Sequence, residues 1–264
     1  ICFFLNLTHH PNCIIRISTV MPFDLDISPG SAIPIFKQIV DQVRLAAPIA
    51  RELGDGAELS NLVFMGMGEP LDNLAEVGRA VRLLTDARAF AFAPSRVTVS
   101  TVGVVDKLEA FFRDVPAELA VSLNAPDDAR RSRIMPVNER FDLATLHAAL
   151  ARFVPPRRRV LLEYVLFDRF NDAPEDADLV ADFTRGLRAR VNVIPANVGP
   201  DPALRAPSAE RVDAFVARLS SRGVTTLVRR PRGRAVGGAC GQLAGAARLV
   251  ELDPSRGRPT SRRA

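Results

Sequence analysis

Residues 66–70 (GMGEP) combine residue types that could hold a small ligand. Gly66 and Gly68 would let the backbone approach a ligand closely, and Pro70 would fix the turn. Glu69 could then accept hydrogen bonds from an ammonium or a hydroxyl group. The pattern is weak evidence by itself, because glycine-rich turns after strands are common.

Cys240 is a candidate nucleophile. It lies in residues 237–243 (GGACGQL), a composition that favours an accessible loop in which a thiolate could react. On these residues alone, a small apolar residue that happens to be cysteine is an equally good interpretation. The arginine-rich residues 229–234 lead into this loop, and together with residues 157–159 they could bind an RNA backbone. A solvated surface is the usual alternative for such runs.

Composition narrows the class of protein. The chain carries a net charge of +5 and has a pI of about 9.8, which fits either an arginine-rich protein from an arginine-rich genome or a polyanionic partner such as RNA.

The cysteines Cys2, Cys13 and Cys240 are odd in number and far apart, so we expect no disulfide framework and a cytoplasmic protein. His9 and His10 lie near Cys13 but match no zinc spacing, and we predict no metal site from them. No apolar run could span a bilayer.

The candidate residues must be positioned by a regular alternation of strands and helices. The predicted strands cover residues 61–66, 96–101, 117–123, 159–167, 190–194 and 224–229. The predicted helices cover residues 36–46, 73–85, 104–112, 143–153, 174–187 and 208–221. This alternation, with strands rich in Val and Leu, predicts an α/β fold with a parallel sheet. We expect a full or partial (β/α) barrel of about six parallel strands with outer helices, and a doubly wound open sheet is the alternative.

Small and polar residues recur where each predicted strand ends. Parallel strands present their carboxyl ends at one edge of the sheet, where ligand sites of such folds lie. Each residue alone could be an ordinary turn or helix cap. Together they form a ring that favours a ligand site. The residues are Gly68, Glu69, Ser100, Thr101, Ser122, Leu123, Asn124, Asp168, Asn171, Asp172, Asn197 and Cys240.

In order along the chain, seven stretches resemble one family, the RlmN/Cfr-type radical-SAM methyltransferases, which methylate adenine in ribosomal RNA. The stretches are GMGEPLDN, RVTVSTVG, LAVSLNAPDDARR, IMPVN, LEYVLFDRFND, VNVIPAN and RGRAVGGACGQLAG. They follow the order and spacing of the family from about Gln38 to Ala246. The resemblance implies a radical-SAM-type partial barrel, with S-adenosylmethionine (SAM) lying across the strand ends.

The resemblance also assigns roles to particular residues. Gly68 and Glu69 would meet the methionine part of SAM, and Ser100 and Asn197 would line its site. The stretch made of Ser122, Leu123 and Asn124 would line the rest. Cys240 would carry a methyl group received from one SAM. A 5′-deoxyadenosyl radical formed from a second SAM would take a hydrogen atom from that methyl group, and the resulting carbon radical would add to C2 of adenine.

The sequence departs from the family in its first part. Family members carry Cys-x3-Cys-x2-Cys ahead of the first helix, and its thiolates hold a 4Fe-4S cluster. The last of these cysteines should fall near Phe23, but residues 12–23 contain only Cys13. The family's RNA-binding N-terminal domain and its resolving cysteine are also unmatched. In addition, Asn124 stands where histidine is usual, and Arg234 where an acidic residue is usual.

Two explanations of this departure remain open. One is a degenerate paralogue that keeps the barrel, and the other is a shifted reading frame or misassigned start, which the first residue, Ile1, slightly favours. For the exact chain the missing cysteines predict no stable cluster and no turnover.

The motifs and the composition divide the chain into three parts. These are an atypical segment 1–34, a barrel 35–250 and a basic tail 251–264 that we expect to be disordered.

The resulting hypothesis is a cytoplasmic, monomeric radical-SAM methyltransferase acting on C2 of adenine in 23S rRNA, with tRNA as a further substrate left open. Its cofactors would be SAM and the family's 4Fe-4S cluster, and no membrane partner is expected. The alternative from another class is an inactive barrel that binds SAM or RNA. An unrelated barrel enzyme acting on phosphorylated metabolites is disfavoured, because no phosphate-binding glycine loop stands out.

Overall fold

A computed structural model describes residues 3–7, 14–16, 33–52, 58–65, 68–196 and 204–229. The predicted site residues Asn197 and Cys240 lie outside these ranges, as does the predicted tail 251–264. Of the two proposed boundaries in the chain, the one after residue 34 lies at the start of the described range 33–52, and the one after residue 250 lies outside the described ranges.

The described strands form one sheet of eight, in the order β2-β1-β3-β4-β5-β6-β7-β8. Strands β3 to β8 are parallel and lie side by side in chain order, which makes a curled half-barrel. Strand β1 pairs with both β2 and β3 in antiparallel fashion. The bounds are β1 Phe3–Leu7, β2 Ile14–Arg16, β3 Leu59–Phe64, β4 Val97–Thr101, β5 Glu118–Ser122, β6 Val160–Leu166, β7 Ala189–Pro195 and β8 Thr226–Val228.

Helices connect each parallel strand to the next. The bounds are α1 Ile35–Glu52, α2 Leu74–Thr85, α3 Leu108–Asp114, α4 Asp128–Ile134, α5 Leu143–Phe153, α6 Pro174–Phe183 and α7 Ala209–Ser221. Short 3-10 turns precede α2 and α3 and follow α4. Side chains of Asp127, Asp142 and Ser208 cap α4, α5 and α7 by accepting hydrogen bonds from backbone N–H groups.

The alternation of side chains along each strand gives the sheet two unlike faces. On the outer face, residues such as Val99, Val121 and Leu162 pack with apolar helix residues into one continuous core. Tyr164 belongs to this face and stacks on Phe215 of α7, with 5.3 Å between ring centroids. The inner face is different. It carries the polar residues Thr98, Ser100, Glu118, Ser122, Glu163, Arg190 and Asn192. The fold therefore buries its apolar surface under the helices and leaves a polar concave face.

The predicted architecture is confirmed: six parallel strands alternate with outer helices in a partial barrel. Helix α5 has the predicted bounds. The prediction extended α6 to residue 187, but the helix ends at Phe183, and Gly186 in the following turn adopts φ +75°. The open doubly wound sheet is not what the structure adopts.

Two elements of local structure were not predicted. The predicted strands begin at residue 61, yet Phe3–Leu7 and Ile14–Arg16 also form strands. These strands are short and pair only at the sheet edge, so period-2 patterning is hard to detect in them. The helix Asp128–Ile134 was also missed, because its seven residues include three arginines and give no apolar stripe. None of the helices described is long and apolar enough to cross a membrane.

Leu84→Ala should lower the free energy of unfolding by about 2–5 kcal/mol, because it opens a cavity in the core. Leu84 is fully buried on α2, whereas its neighbour Leu83 is 37% exposed. Leu83→Ala is therefore the matched control and should cost less than about 1 kcal/mol. Urea unfolding measures both, and equal losses would contradict the described packing of α2.

Candidate active site

The carboxyl ends of the parallel strands gather most of the predicted site residues that the structure describes. Gly68 and Glu69 follow β3, Ser100 lies on β4, and Ser122 ends β5. Leu123 and Asn124 follow β5 directly. Because neighbouring parallel strands pair in register, these residues stand at one edge of the sheet.

Glu69 links the loop after β3 to the loop after β4. Its Oε1 accepts a hydrogen bond from the backbone N–H of Leu71 at 2.9 Å, and its Oε2 accepts one from Val102 N–H at 2.8 Å. Burial raises the pKa of Glu69, while the backbone hydrogen bonds and one from Thr101 act in the opposite direction. The carboxylate therefore fixes two strand ends, and after these three hydrogen bonds one of its four lone-pair positions remains for a ligand donor.

Gly68 provides an opening beside Glu69. Its φ of +85° lies in the region that favours glycine, and a Cβ placed there would meet no atom of the described residues within 4 Å. As far as the described residues reach, the backbone at this point borders open space, which a closely approaching ligand would need.

Arg131 ties the end of β4 to the end of β5 from beneath. Its side chain is fully buried, and its Nη2 donates to the carbonyl of Val102 at 2.8 Å and to that of Ser122 at 3.3 Å. Its Nε donates to the carbonyl of Leu123 at 3.2 Å, and its Nη1 donates to Asn138 Oδ1 at 2.7 Å. Burial lowers the pKa of Arg131 to about 10, so the guanidinium remains charged at neutral pH.

Asn124 connects β5 to β6. It adopts φ +58°, and its Oδ1 accepts a hydrogen bond from Val165 N–H at 3.1 Å. Asn171, which follows β6, donates from Nδ2 to the carbonyls of Asn124 and Val165 at 2.8 and 2.7 Å. Asparagine adopts this left-handed backbone conformation more readily than most residues do, so position 124 suits asparagine.

Leu123 supports the loop from within the core. Its side chain is 1% exposed, its N–H donates to the carbonyl of Glu163 at 2.8 Å, and its own carbonyl accepts from Arg131. The side chain of Asp172, after β6, is 1% exposed and pairs with Arg211 of α7. Leu123 and Asp172 therefore hold the strand ends in place rather than offering free polar groups.

Glu163 places a carboxylate on the concave face below the strand ends. It is 5% exposed and accepts hydrogen bonds from the side chains of Ser100 on β4 and Asn192 on β7, with the charge of Arg229 nearby. Its backbone pairs with Ser122 and Asn192 on the neighbouring strands. Burial raises the pKa of Glu163, and the positive charge of Arg229 opposes that shift. Strands β4, β6 and β7 and the residue that follows β8 thus contribute to one polar cluster.

Sequence reasoning did not single out three residues that help to hold this site together, namely Arg131, Glu163 and Asn192. It named Arg229 only as part of an arginine-rich run that could bind RNA. A usable signal existed for Glu163, because it is the one charged residue inside the apolar run VLLEYVL. No local signal marked Arg131, since arginine is seldom fully buried.

The described residues do not fit an iron–sulfur cluster. Such clusters are held by cysteine thiolates, and the cysteines of the chain, Cys2, Cys13 and Cys240, lie outside the described ranges. Within those ranges, no three His, Cys, Asp or Glu side chains are grouped so that they could hold a metal ion. No chemical step is therefore assigned to a cluster in this chain.

Arg131→Met should lower the free energy of unfolding by roughly 2–5 kcal/mol, because several buried carbonyl oxygens lose their donor. Arg133→Met on the same short helix is the control, since Arg133 is exposed. We expect the control to cost less than about 1 kcal/mol in urea unfolding. A variant Arg131→Met as stable as the control would show that the strand ends do not depend on this side chain.

Glu163→Gln should flatten the dependence of stability on pH. Because burial raises the pKa of Glu163 above its ordinary value of 4.5, the folded protein binds this proton more tightly than the unfolded chain does. The folded state therefore loses stability as pH rises from about 4.5 through the raised pKa. Urea unfolding at steps across this window should show a smaller loss in the glutamine variant.

The control for this comparison is Glu109→Gln, because Glu109 is exposed on α3. Its stability should follow the same pH dependence as the unmodified chain. Parallel curves for Glu163→Gln and the unmodified chain would contradict the burial of this carboxyl group.

Curated relatives of the chain are RNA methyltransferases by name. A probable RNA methyltransferase of Sorangium cellulosum is 74% identical over 218 residues, which cover 83% of this chain and 54% of the relative. The dual-specificity RNA methyltransferase RlmN of Syntrophobacter fumaroxidans is 44% identical over 207 residues, covering 78% of this chain and 60% of the relative. The chain thus spans between half and two thirds of the length of these relatives. No family model matches it.

Solved structures agree with the sequence relatives. A radical SAM methyltransferase from Sphaerobacter thermophilus superposes with a TM-score of 0.74 at 42% identity, covering 78% of this chain and 61% of that protein. A domain of a pyruvate-formate lyase-activating enzyme from Bacteroides vulgatus shares the fold, with a TM-score of 0.51 at 16% identity. By sequence and fold, the chain belongs to the RlmN/Cfr-type family of radical-SAM RNA methyltransferases, although its 264 residues lack the Cys-x3-Cys-x2-Cys motif.

Proposed function

We propose that this half-barrel binds SAM across its strand ends and serves an RNA methyltransferase. The observation that carries the proposal is the alignment of Gly68, Glu69, Ser100 and Ser122 along one sheet edge, beside open space at Gly68. SAM offers an ammonium group, a carboxylate and ribose hydroxyls, which suit carboxylate oxygens and serine hydroxyls as partners. SAM would supply the methyl group.

Each residue has a proposed task. The backbone at Gly68 and a free lone pair of Glu69 would receive the methionine part of SAM. Ser100, Ser122 and the polar atoms of the loop at Asn124 would face the remainder. Leu123 would contribute by holding this loop through its backbone. Asn197 belongs to the same proposal through its sequence position after β7.

Cys240 is proposed to accept the methyl group of SAM on its thiolate, with S-adenosylhomocysteine as the leaving group, and then to carry it. Its placement among glycines favours an accessible loop, and a thiolate is the nucleophile that such a transfer requires. The substrate is proposed to be C2 of adenine in 23S rRNA, with tRNA as a second candidate, acted on by a monomer in the cytoplasm. The dual-specificity RNA methyltransferases among the relatives and the net charge of +5 support an RNA substrate.

Transfer of the methyl group from Cys240 to C2 of adenine would need the family's radical, so for these 264 residues we propose only the binding of SAM and the acceptance of its methyl group. Reductive cleavage of SAM requires the family's cluster, and the sequence does not provide the three closely spaced cysteines that would bind it. Binding of SAM by the strand ends does not depend on that step and can be measured directly.

Gly68→Ala should weaken the binding of SAM at least about tenfold, because the added methyl group enters the opening and strains the backbone at φ +85°. Gly186→Ala is a matched control. Gly186 also has a positive φ of +75° and open space around its Cβ position, but it lies in the turn between α6 and β7. Isothermal titration with SAM measures both variants.

The two variants should lose similar stability, about 1–2 kcal/mol, from backbone strain alone. Only Gly68→Ala should lose affinity. Unchanged affinity in Gly68→Ala, or no binding of SAM by the unmodified chain, would contradict the proposed site.

A further inference from the structure

A cavity opens at the end of the half-barrel where the parallel strands begin. It has a volume of about 390 Å³, within the range of ligand pockets. Glu118 is the first residue of β5, and Val160 is the first residue of β6. The cavity is therefore separated from the strand ends by the length of the sheet. Its polar lining comes from Ser95, Thr98, Glu118, Arg157, Arg159 and Arg190.

The three adjacent arginines of residues 157–159 serve two different purposes. Arg158 turns toward the protein, and its Nη1 donates to the carbonyls of Val115 and Ala117 at 3.2 and 3.4 Å. This anchor holds the segment before β6 and leaves Arg157 and Arg159 to line the cavity. The run is thus not a uniformly solvated face, because its middle member is a structural contact.

The arginines of the cavity lack partners within the part of the chain that the structure describes. Arg157, Arg159 and Arg190 make no ion pair there, whereas arginines on the helices commonly do, such as Arg218 with Asp178. Glu118 is the one acidic residue in the lining, so the described lining carries a surplus of two positive charges. Gathering like charges at one concavity costs free energy unless an anion is bound.

We propose that this cavity is a binding site for the phosphate group of a nucleotide unit. Guanidinium groups bind phosphate oxygens through paired, charge-assisted hydrogen bonds, and the hydroxyls of Ser95 and Thr98 provide further donors. Arg157, Arg159 and Arg190 would contact the phosphate, and the aliphatic side chain of Leu161 would border the rest of the unit. The same chemistry is offered by an RNA strand and by a free nucleotide.

This proposal does not rest on the proposed function, because it uses a different end of the sheet and different residues. An RNA strand held there would add affinity without contacting the strand ends. A free nucleotide held there would instead form a separate small-molecule site.

The test compares two triple variants of the full chain. One carries Arg157→Gln, Arg159→Gln and Arg190→Gln. The control carries Arg44→Gln, Arg79→Gln and Arg152→Gln, which remove the same charge from exposed positions on α1, α2 and α5. Binding of a fluorescein-labelled single-stranded oligoadenylate is followed by anisotropy at several salt concentrations, and binding of AMP and of inorganic phosphate by calorimetry.

The cavity variant should bind the oligoadenylate at least about tenfold more weakly than the control, with a shallower dependence on salt because fewer phosphates are neutralised. Loss of AMP or phosphate binding with unchanged oligoadenylate binding would identify a free nucleotide as the ligand. Equal behaviour of the two triple variants toward all three probes would overturn the proposal.

Two parallel measurements keep the outcomes distinct. Thermal unfolding should show that both variants are folded, with a midpoint for the cavity variant at or above that of the control, because the cavity variant loses clustered like charges while the control loses the contact of Arg79 with the Phe36 ring. Titration with SAM should give the same affinity in both variants. If the unmodified chain does not bind SAM, the oligoadenylate, AMP and phosphate measurements still test the cavity independently.

Discussion

The buried guanidinium of Arg131 is the contact on which the arrangement of the strand ends depends. A fully buried charge is tolerated only when its donors are satisfied, and here the acceptors are carbonyl oxygens at the ends of β4 and β5 together with Asn138. The carbonyl oxygens also depend on Arg131. Those of Val102, Ser122 and Leu123 accept hydrogen bonds from this one side chain, so the backbone at the strand ends does not need a neighbouring strand to provide donors.

Similar polar bridges continue along the sheet edge in both directions. Glu69 joins the loop after β3 to Val102, and Asn124 with Asn171 joins the end of β5 to β6. Each bridge spans neighbouring strands, so the edge is fixed step by step rather than by one central group. The outcome is a preorganised row of backbone and side-chain groups beside Gly68. The concave face beneath carries further polar groups, and its Glu163 cluster joins β4, β6 and β7 with the residue that follows β8.

The sequence predicted the scaffold better than the contacts that hold it. The β-branched and apolar residues of β4 and β6 predict strands at these positions, and the family motifs predict the order of the strands. The contacts made by Arg131 and Glu163 connect segments that are distant in the chain, and no local pattern encodes them. Leu123 illustrates the same limit: its motif marks it as part of the site, while only the fold reveals that its side chain lies in the core.

The two ends of the half-barrel differ in how their charges are treated. At the carboxyl ends, Arg131 and Glu69 are satisfied by the protein itself, and the opening lies beside them. At the amino ends, Arg157, Arg159 and Arg190 face a cavity without an ion-pair partner among the described residues. The internal hydrogen bonds indicate a fixed framework at the carboxyl ends, and the cluster of exposed arginines without an ion pair supports the proposed phosphate site at the amino ends.

Hydrogen exchange of single backbone amides in the ligand-free protein tests the central claim most directly. If Arg131 and Glu69 hold the strand ends before any ligand binds, the amides of Val102 and Leu123 should exchange as slowly as those in the middle of β4 and β5. Exchange of these two amides at the rate of an exposed loop, with the strands themselves protected, would contradict the account.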